Sequence, residues 1–434
     1  MLEYFSTRVI TECSQEANPC GIVKALLGAA IKTTIDYSYS VNVDGTLTIT
    51  GYVGKDTSLE IPSVINGKTV TEIAGWAFSV NTNLIRITIP ATIQLVGLEA
   101  LTNCAEIEVD ANNPNYSTLN GVLYDKTQSK LIQYPAFDSD SEFDVPDGVT
   151  EIGERAVAER QKPLNVVLSS SVKNIAAYAF LNSNLPNILF QNGINTIDYG
   201  AFINSSIKDL NIRGNVGDIE DDAFIGCSSL TSIRINGNVG TIKSNAFLSL
   251  DKLVSVDIEG NIDTIGSTSF TDCHALKSVI IHGGILNVND NAFLRCSSLK
   301  TVTVYGSIGT IDTVAFLDCS SLKNFTVYGG ITTINNSAFQ DCTSLFKLYI
   351  NGDIGDIGEC AFLGCKNLNS VYIDGDTYNI ASCVFLRCAN LKTITIKGNV
   401  NNIGQTAFLS CDRLSQITID GNVNADLNLQ VFAS

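Results

Sequence analysis

A column of cysteines is the first place in this sequence where residue type and spacing suggest chemistry. Cys227, Cys273, Cys296, Cys319, Cys342, Cys365, Cys388 and Cys411 share one register with a 23-residue step, and Leu250 fills the same slot in one unit. Thiols in a row suggest a soft metal or redox exchange. Zinc, however, needs ligands converging tetrahedrally, commonly from close pairs, and one thiol per 23 residues gives a line instead. A buried free cysteine otherwise behaves as a small apolar side chain, so the column is read as packing, reduced and inert. Cys104 falls in an irregular unit and is expected to be a further labelling site. Cys360 and Cys383 stand two residues before their Phe neighbours, one period apart. Their Cα atoms should lie near the disulfide limit of about 7 Å, and they are read as free thiols. Cys13 and Cys20 lie close to Pro19 and Gly21 near the start of the chain. They would suit a local disulfide in an exported protein, and both states stay open.

Other catalytic chemistry finds little support. The chain has two histidines, His274 and His282, and no Ser/His/Asp set is justified by spacing. Ser-Ser pairs such as Ser228-Ser229 and Ser297-Ser298 recur with the period, which marks turn chemistry. No phosphate loop or dinucleotide fingerprint is present. The expectation is a protein with no catalytic residues, no cofactor and no metal. An enzyme with an unrecognised site is the remote alternative.

Aromatic residues offer a binding chemistry. Strand alternation turns Tyr305, Tyr328, Tyr349 and Tyr372 outward in four consecutive repeats, with His282 one repeat before them and Asp257 and Glu259 beyond it. Tyr305 and Tyr328 share one column, and Tyr349 and Tyr372 the next. Parallel strands lie about 4.8 Å apart, so each pair should touch. Tyrosine favours strands and cross-strand pairs, which makes the pairs sheet packing. Tyrosine is also enriched where partners dock, which makes Tyr305, Tyr328, Tyr349, Tyr372 and His282 a candidate ligand-binding patch. Both readings stay open.

The elements that position these side chains repeat. Phe224, Phe247, Phe270, Phe293, Phe316, Phe339, Phe362, Phe385 and Phe408 are each 23 residues apart. Leu230-Thr231-Ser232-Ile233-Arg234-Ile235 shows the following run, which Gly237 closes. Ile233 and Ile235 alternate with polar residues as a half-buried strand does. Gly237 is expected to turn the chain through conformations other residues avoid, and Val239 and Ile242 to run back through the core. Asn245-Ala246-Phe247-Leu248 reads as a helical turn on the far side. Phe180 and Phe202 open 22-residue units, and 14 anchors run from Phe78 to Phe408, with a degenerate unit near Phe432.

The fold class expected is an α/β solenoid, a right-handed leucine-rich-repeat horseshoe with a parallel concave sheet and short helical turns on the convex side. Its strands would extend roughly 65–70 Å at their usual spacing. Residues 1–40 would form an N-terminal cap, with helix-compatible content from Gly21 to Ile31. Residues 41–421 would form the array, and 422–434 a degenerate terminal repeat. Between Leu101 and Val157 the spacing is 56 residues, so an insertion near 105–140 is read as a projecting hairpin with strand-like pieces at 122–124 and 131–134.

Composition narrows the partners. Hydrophobic residues make up 45% of 434, charged residues only 16%, and the formal net charge is −17. Such an acidic surface repels phosphate backbones and anionic headgroups, so neither nucleic acid nor membrane insertion is expected. The longest apolar run, Ile22 to Ile31, is broken by Lys24 and is too short to span a bilayer. Met1-Leu2-Glu3-Tyr4 lacks the basic start of a signal peptide, which would leave the chain cytoplasmic.

The motif Ala-Phe-x-x-Cys-x-x-Leu, as in the unit from Ala292 to Leu299, resembles the BspA-type leucine-rich repeats. Leu47-Thr48-Ile49-Thr50-Gly51-Tyr52 and Ile65-Asn66-Gly67-Lys68-Thr69-Val70 resemble the entry into such arrays, and Asn113-Pro114-Asn115-Tyr116 to Tyr134-Pro135 an island they often carry. The resemblance covers roughly residues 41–421. It departs at the Gly-Asn and Gly-Asp turns, where many members have proline. It implies a monomeric, non-catalytic adhesion or binding protein at the cell surface, whose concave face takes a matrix or host-cell protein or a glycan. A structural spacer with no dedicated ligand site is the alternative.

Overall fold

The computed structural model describes residues 32–33 and 36–424. The expected helix at 21–31, Cys13, Cys20 and the terminal unit near Phe432 lie outside the described residues. The chain forms two compact units, divided at Ser139/Asp140.

Each coil of the second unit contributes two strands and a tight turn. Ser232–Ile235 pairs in parallel with Asp209–Ile212 and Ser255–Ile258, in a 13-stranded sheet that runs from Glu142–Asp144 to Gln416–Ile419. At parallel-strand spacing this sheet extends about 58 Å. The chain then returns as Val239–Ile242, which pairs in parallel with Val216–Ile219 and Ile262–Ile265. Val239 and Ile242 run back through the core as expected, but the return segment is also a strand of a second sheet, and this corrects the single-sheet expectation. Leu230, Ile233, Ile235, Val239, Ile242 and Phe247 are all buried between these elements. One coil cannot cover these side chains alone, and its neighbours do so.

The expected helical turn does not form, and among the described residues there is no helix. Asn245 and Ser249 flank Phe247 with φ of 56° and 55°, and a right-handed helix requires a run of negative φ. Ala-Phe-Leu favours helix locally, but the turn's amides are used differently. Phe247 N–H donates to Ser269 O at 2.9 Å, and Ser249 N–H to Thr271 O at 2.9 Å, both on the next coil. The turns are thus hydrogen-bonded along the array like the strands. Inside them the phenyl rings from Phe180 to Phe408 stack, with centroids 4.9–5.7 Å apart and planes within 13°.

The glycine column has a different cause from the one expected. Gly214 has φ of 136°, but Gly237 and Gly260 do not adopt a left-handed conformation. They are needed because coils approach closely there. A Cβ on Gly260 would lie 2.6 Å from Gly237 C and 2.5 Å from Asn238 Oδ1. The following residue explains the Gly-Asn and Gly-Asp turns. Asn261 N–H donates to Asn238 Oδ1 at 2.9 Å, and Gly284 N–H to Asn261 Oδ1 at 2.8 Å. Asp376, Asn399 and Asn422 continue the pattern on Asp353, Asp376 and Asn399.

In the first unit, Tyr37–Val41 pairs antiparallel with Leu47–Tyr52, which runs parallel to Lys68–Ile73. Ser58–Glu60, Arg86–Ile89 and Glu106–Val109 form a second, parallel sheet. The insertion forms three antiparallel strands, Tyr116–Leu119, Val122–Asp125 and Lys130–Gln133. It does not project. Tyr116 and Leu123 belong to the same core as Ile87 and Leu101, and Tyr116 Oη accepts from Val96 N–H at 3.0 Å. Val122, Leu123 and Tyr124 are consecutive apolar residues, all buried, and need cover on both faces of their strand; Leu123 finds it in the core of the adjacent sheet.

Candidate binding face

The cysteine column is buried from Cys227 to Cys388, as packing requires, with Cys411 partly exposed, and it also carries hydrogen bonds. Cys296 Sγ donates to Phe270 O at 3.1 Å, and Cys319 Sγ to Phe293 O at 3.1 Å. Each thiol thereby satisfies a carbonyl of the preceding turn. Ser183, in the same register, donates to Val157 O. Burial pushes the Cys227 thiol up to about 12, and Cys296 and Cys319 well above the usual thiol range. Cys104 is fully buried, burial pushes it up to about 12, and its Sγ donates to Leu101 O at 2.9 Å. Its expected reactivity is therefore corrected: the irregular unit still seals the thiol.

The 13-stranded sheet presents two outward columns. Asn211, Arg234, Asp257, Ile280, Thr303 and Thr326 are paired in register, and Tyr349 and Tyr372 continue that column. Tyr305 follows the strand Thr301–Val304, and its N–H donates to Ile281 O at 2.9 Å; Tyr328 N–H donates likewise to Val304 O. His282, Tyr305 and Tyr328 therefore occupy the next outward column, one residue past the strand end.

Both tyrosine pairs touch, as their spacing predicts. Tyr305 and Tyr328 stack with centroids 5.1 Å apart, and Tyr349 and Tyr372 at 5.3 Å. Two further contacts join them into one row. The His282 ring stacks on Tyr305 at 5.3 Å, and Tyr328 meets Tyr349 edge to face at 6.1 Å across the change of column. Five rings thus form a continuous ladder, in which Tyr305 and Tyr328 are about half exposed and Tyr349 and Tyr372 partly buried. Inside the stack each ring covers its neighbour's face, so the row offers solvent mainly ring edges and hydroxyls.

Charged groups flank the ladder. His282 Nε2 lies 3.1 Å from Asp257 Oδ1, and Glu259 Oε1 pairs with Arg234 at 3.3 Å. Asp257, Glu259 and His282 offer ligand atoms within 4.8 Å of one another. The period already places Glu259 and His282 in one column on adjacent coils, and the structure adds the diagonal contact between Asp257 and His282. At the other side Lys347 Nζ sits 4.8 Å over the Tyr349 ring. Arg213 and Arg234 line a shallow open depression with Asn211 and Asn236, beside the acidic pair. His274 is half exposed, with its ring near Asp272 and Arg295 O, away from the ladder.

Repeated coils of buried leucine, isoleucine and phenylalanine, zipped by parallel strands, define a leucine-rich-repeat solenoid. The chain belongs to the BspA-type leucine-rich repeat family, whose six-copy repeat profile matches residues 48–136, 125–230, 196–323 and 309–434. It is similar to a crystallised leucine-rich repeat protein from Bacteroides ovatus ATCC 8483. Identity is 20% over 89% of this chain and 94% of that one, with a TM-score of 0.52. It also matches a leucine rich cell surface protein of Faecalibacterium prausnitzii A2-165, at 20% identity over 90% of this chain and 95% of that one, with a TM-score of 0.31. The pneumococcal vaccine antigen PcpA matches at 13% identity over 76% of this chain and 93% of that one, with a TM-score of 0.26. No curated protein matches the sequence. No helix among the described residues is long and apolar enough to cross a membrane.

Proposed function

We propose that this protein is a non-catalytic binding protein of the cell surface, and that it takes its partner on the ladder formed by His282, Tyr305, Tyr328, Tyr349 and Tyr372. The observation that carries this reading is a continuous row of aromatic side chains, two of them about half exposed, on a sheet face whose other outward residues are mostly polar. Aromatic side chains supply large contact area at small entropic cost, and clustered tyrosines commonly dominate binding energy. The orientation of the rings favours a protein partner over a glycan. A sugar packs best on an open ring face, and here most faces are covered by the next ring. Polypeptide side chains and amides can instead contact ring edges and hydroxyls. Surface location follows the family resemblance and is part of the same reading.

The test has two arms. Intact cells of the source organism would be labelled with an antibody raised against this chain, and signal only after lysis overturns the surface assignment. The purified chain would be screened against matrix proteins and glycan arrays. A ligand whose binding survives replacement of Tyr305, Tyr328, Tyr349 and Tyr372 together by threonine would move the binding site elsewhere.

A further inference from the structure

Cys360 and Cys383 stand apart from the other cysteines. They occupy the left-handed turn position two residues before Phe362 and Phe385, with φ of 56° and 59°. Neighbouring coils place Thr268, Asn291, Val314, Ser337 and Thr406 there. Both cysteines are half-buried, unlike the column from Cys227 to Cys388. Cys360 N–H donates to Ser382 O at 3.3 Å, and Cys383 N–H to Gln405 O at 3.3 Å. The two turns are therefore hydrogen-bonded side by side in the same conformation, one coil apart. Coil spacing of about 4.8 Å falls inside the Cα range of about 4.4–6.8 Å that a disulfide spans. With parallel Cα–Cβ vectors the Cβ atoms start at that same spacing, about 1 Å beyond the usual disulfide value of about 3.8 Å.

We propose that Cys360 and Cys383 are a disulfide-forming site, closed across adjacent coils by exchange with a low-molecular-weight disulfide. Cys383 is the attacking group. Its Sγ lies 3.1 Å from Thr406 Oγ1, whose one proton is donated to Gln405 O at 2.6 Å; when Cys383 ionises, the hydroxyl can rotate from that carbonyl to the thiolate. On the next coil Cys360 has Cys383 at the place where Cys383 has the Thr406 hydroxyl. The Cys383 thiolate attacks one sulfur of the small disulfide, forming a mixed disulfide and releasing one small thiolate. The Cys360 thiolate then attacks the Cys383 sulfur and expels the second small thiolate. The protons lost by the two cysteines go to the two small thiols, and the two electrons lost by the protein reduce the small disulfide. The crosslink joins the two coils whose strands carry Tyr349 and Tyr372, on the turns rather than on the sheet face.

The full chain would be incubated with oxidised and reduced glutathione at a series of ratios, then quenched with acid and mapped as peptides without reduction. The expected result is a Cys360–Cys383 crosslink at the oxidising end, free of retained glutathione and reversed by dithiothreitol. Peptide mapping separates it from any reaction at Cys13 or Cys20. The C360S variant should stop at glutathionylated Cys383. The T406V variant should slow the first exchange several-fold while reaching the same end state. Two intact thiols at the oxidising end, or glutathione retained on both residues of the unaltered protein, would overturn the site. An unchanged rate in T406V, or glutathione found first on Cys360, would overturn the assigned attack.

Discussion

The rings of Tyr328 and Tyr349 meet at 61° with centroids 6.1 Å apart, although Tyr349 is paired through its Cα with Thr326 and not with Tyr328. This one off-register contact turns two stacked pairs into a single row.

The row can be tested at its less exposed end. Replacing Tyr349 and Tyr372 by threonine retains strand propensity and removes one stacked pair, which is worth about 0.5–1.5 kcal/mol beyond its buried area. The thermal midpoint should therefore fall only modestly. A hot-spot aromatic contributes about 2 kcal/mol or more to binding, so affinity for a ligand identified by screening should drop well over tenfold in titration calorimetry. Equal affinity in the double variant would assign these rings to sheet packing alone.

The buried thiols predict alkaline instability. Burial raises the Cys227 thiol from near 9 to about 12 in the folded protein. An acid whose folded value is raised contributes its full stabilisation below the unfolded value and loses it as pH climbs through the folded one. Each unit of difference is worth about 1.4 kcal/mol. The urea midpoint should fall as pH rises from 8 toward 12. A variant with serine at Cys227, Cys296 and Cys319 should show a flatter profile, because serine does not ionise there and can donate to the same carbonyls, as Ser183 does. Identical slopes would show that the column does not govern this loss.

Thiol accessibility gives a separate measurement. Cys360 and Cys383 should label rapidly in the native protein. Cys104 and the column from Cys227 to Cys388 should label only after denaturant is added. Rapid native labelling of Cys104 would mean that its turn opens readily.

The glycine and asparagine columns should respond differently to alanine. Gly260→Ala drives a Cβ into backbone of the preceding coil, and overpacking of this kind costs about 1–3 kcal/mol. Asn238→Ala removes the acceptor for Asn261 N–H, at about 1 kcal/mol. The double variant should not rescue Gly260→Ala, since Gly237 C and Asn238 N remain in the way. Substantial rescue in a urea titration would show that Asn238 Oδ1 is the main obstacle.

The period, the buried phenylalanine and leucine columns and the two tyrosine pairs were legible in the sequence because each rests on a fixed repeat. The second sheet was not. Ser232–Ile235 shows alternating burial, whereas Val239–Ile242 buries both ends and half-exposes Gly240 and Thr241 between them. Period-2 reasoning misses such a strand. The turns misled for another reason. Ala246, Phe247 and Leu248 are acceptable helix formers, and the left-handed positions beside them carry Asn245 and Ser249 rather than glycine. Hydrogen bonds to the next coil decide the conformation, and no single repeat contains them. The Asp257–His282 contact and the Tyr328–Tyr349 contact are cross-coil relationships of the same kind.

The ladder of Asn238, Asn261 and their equivalents gives the coils from Asn215 to Gly284, and again from Asp353 to Asn422, the same handshake with the next. Excising residues 239–261 would join Asn238 directly to Ile262 and restore that handshake between coils that were formerly two apart. Asp257 and Glu259 would leave with that coil, and Arg234 would come one whole step closer to His282 and the tyrosines. Because neighbouring strands are about 4.8 Å apart, the second unit behaves as a graduated ruler on which side chains are markings. Duplication or loss of one period resets the distance between two markings without redrawing either.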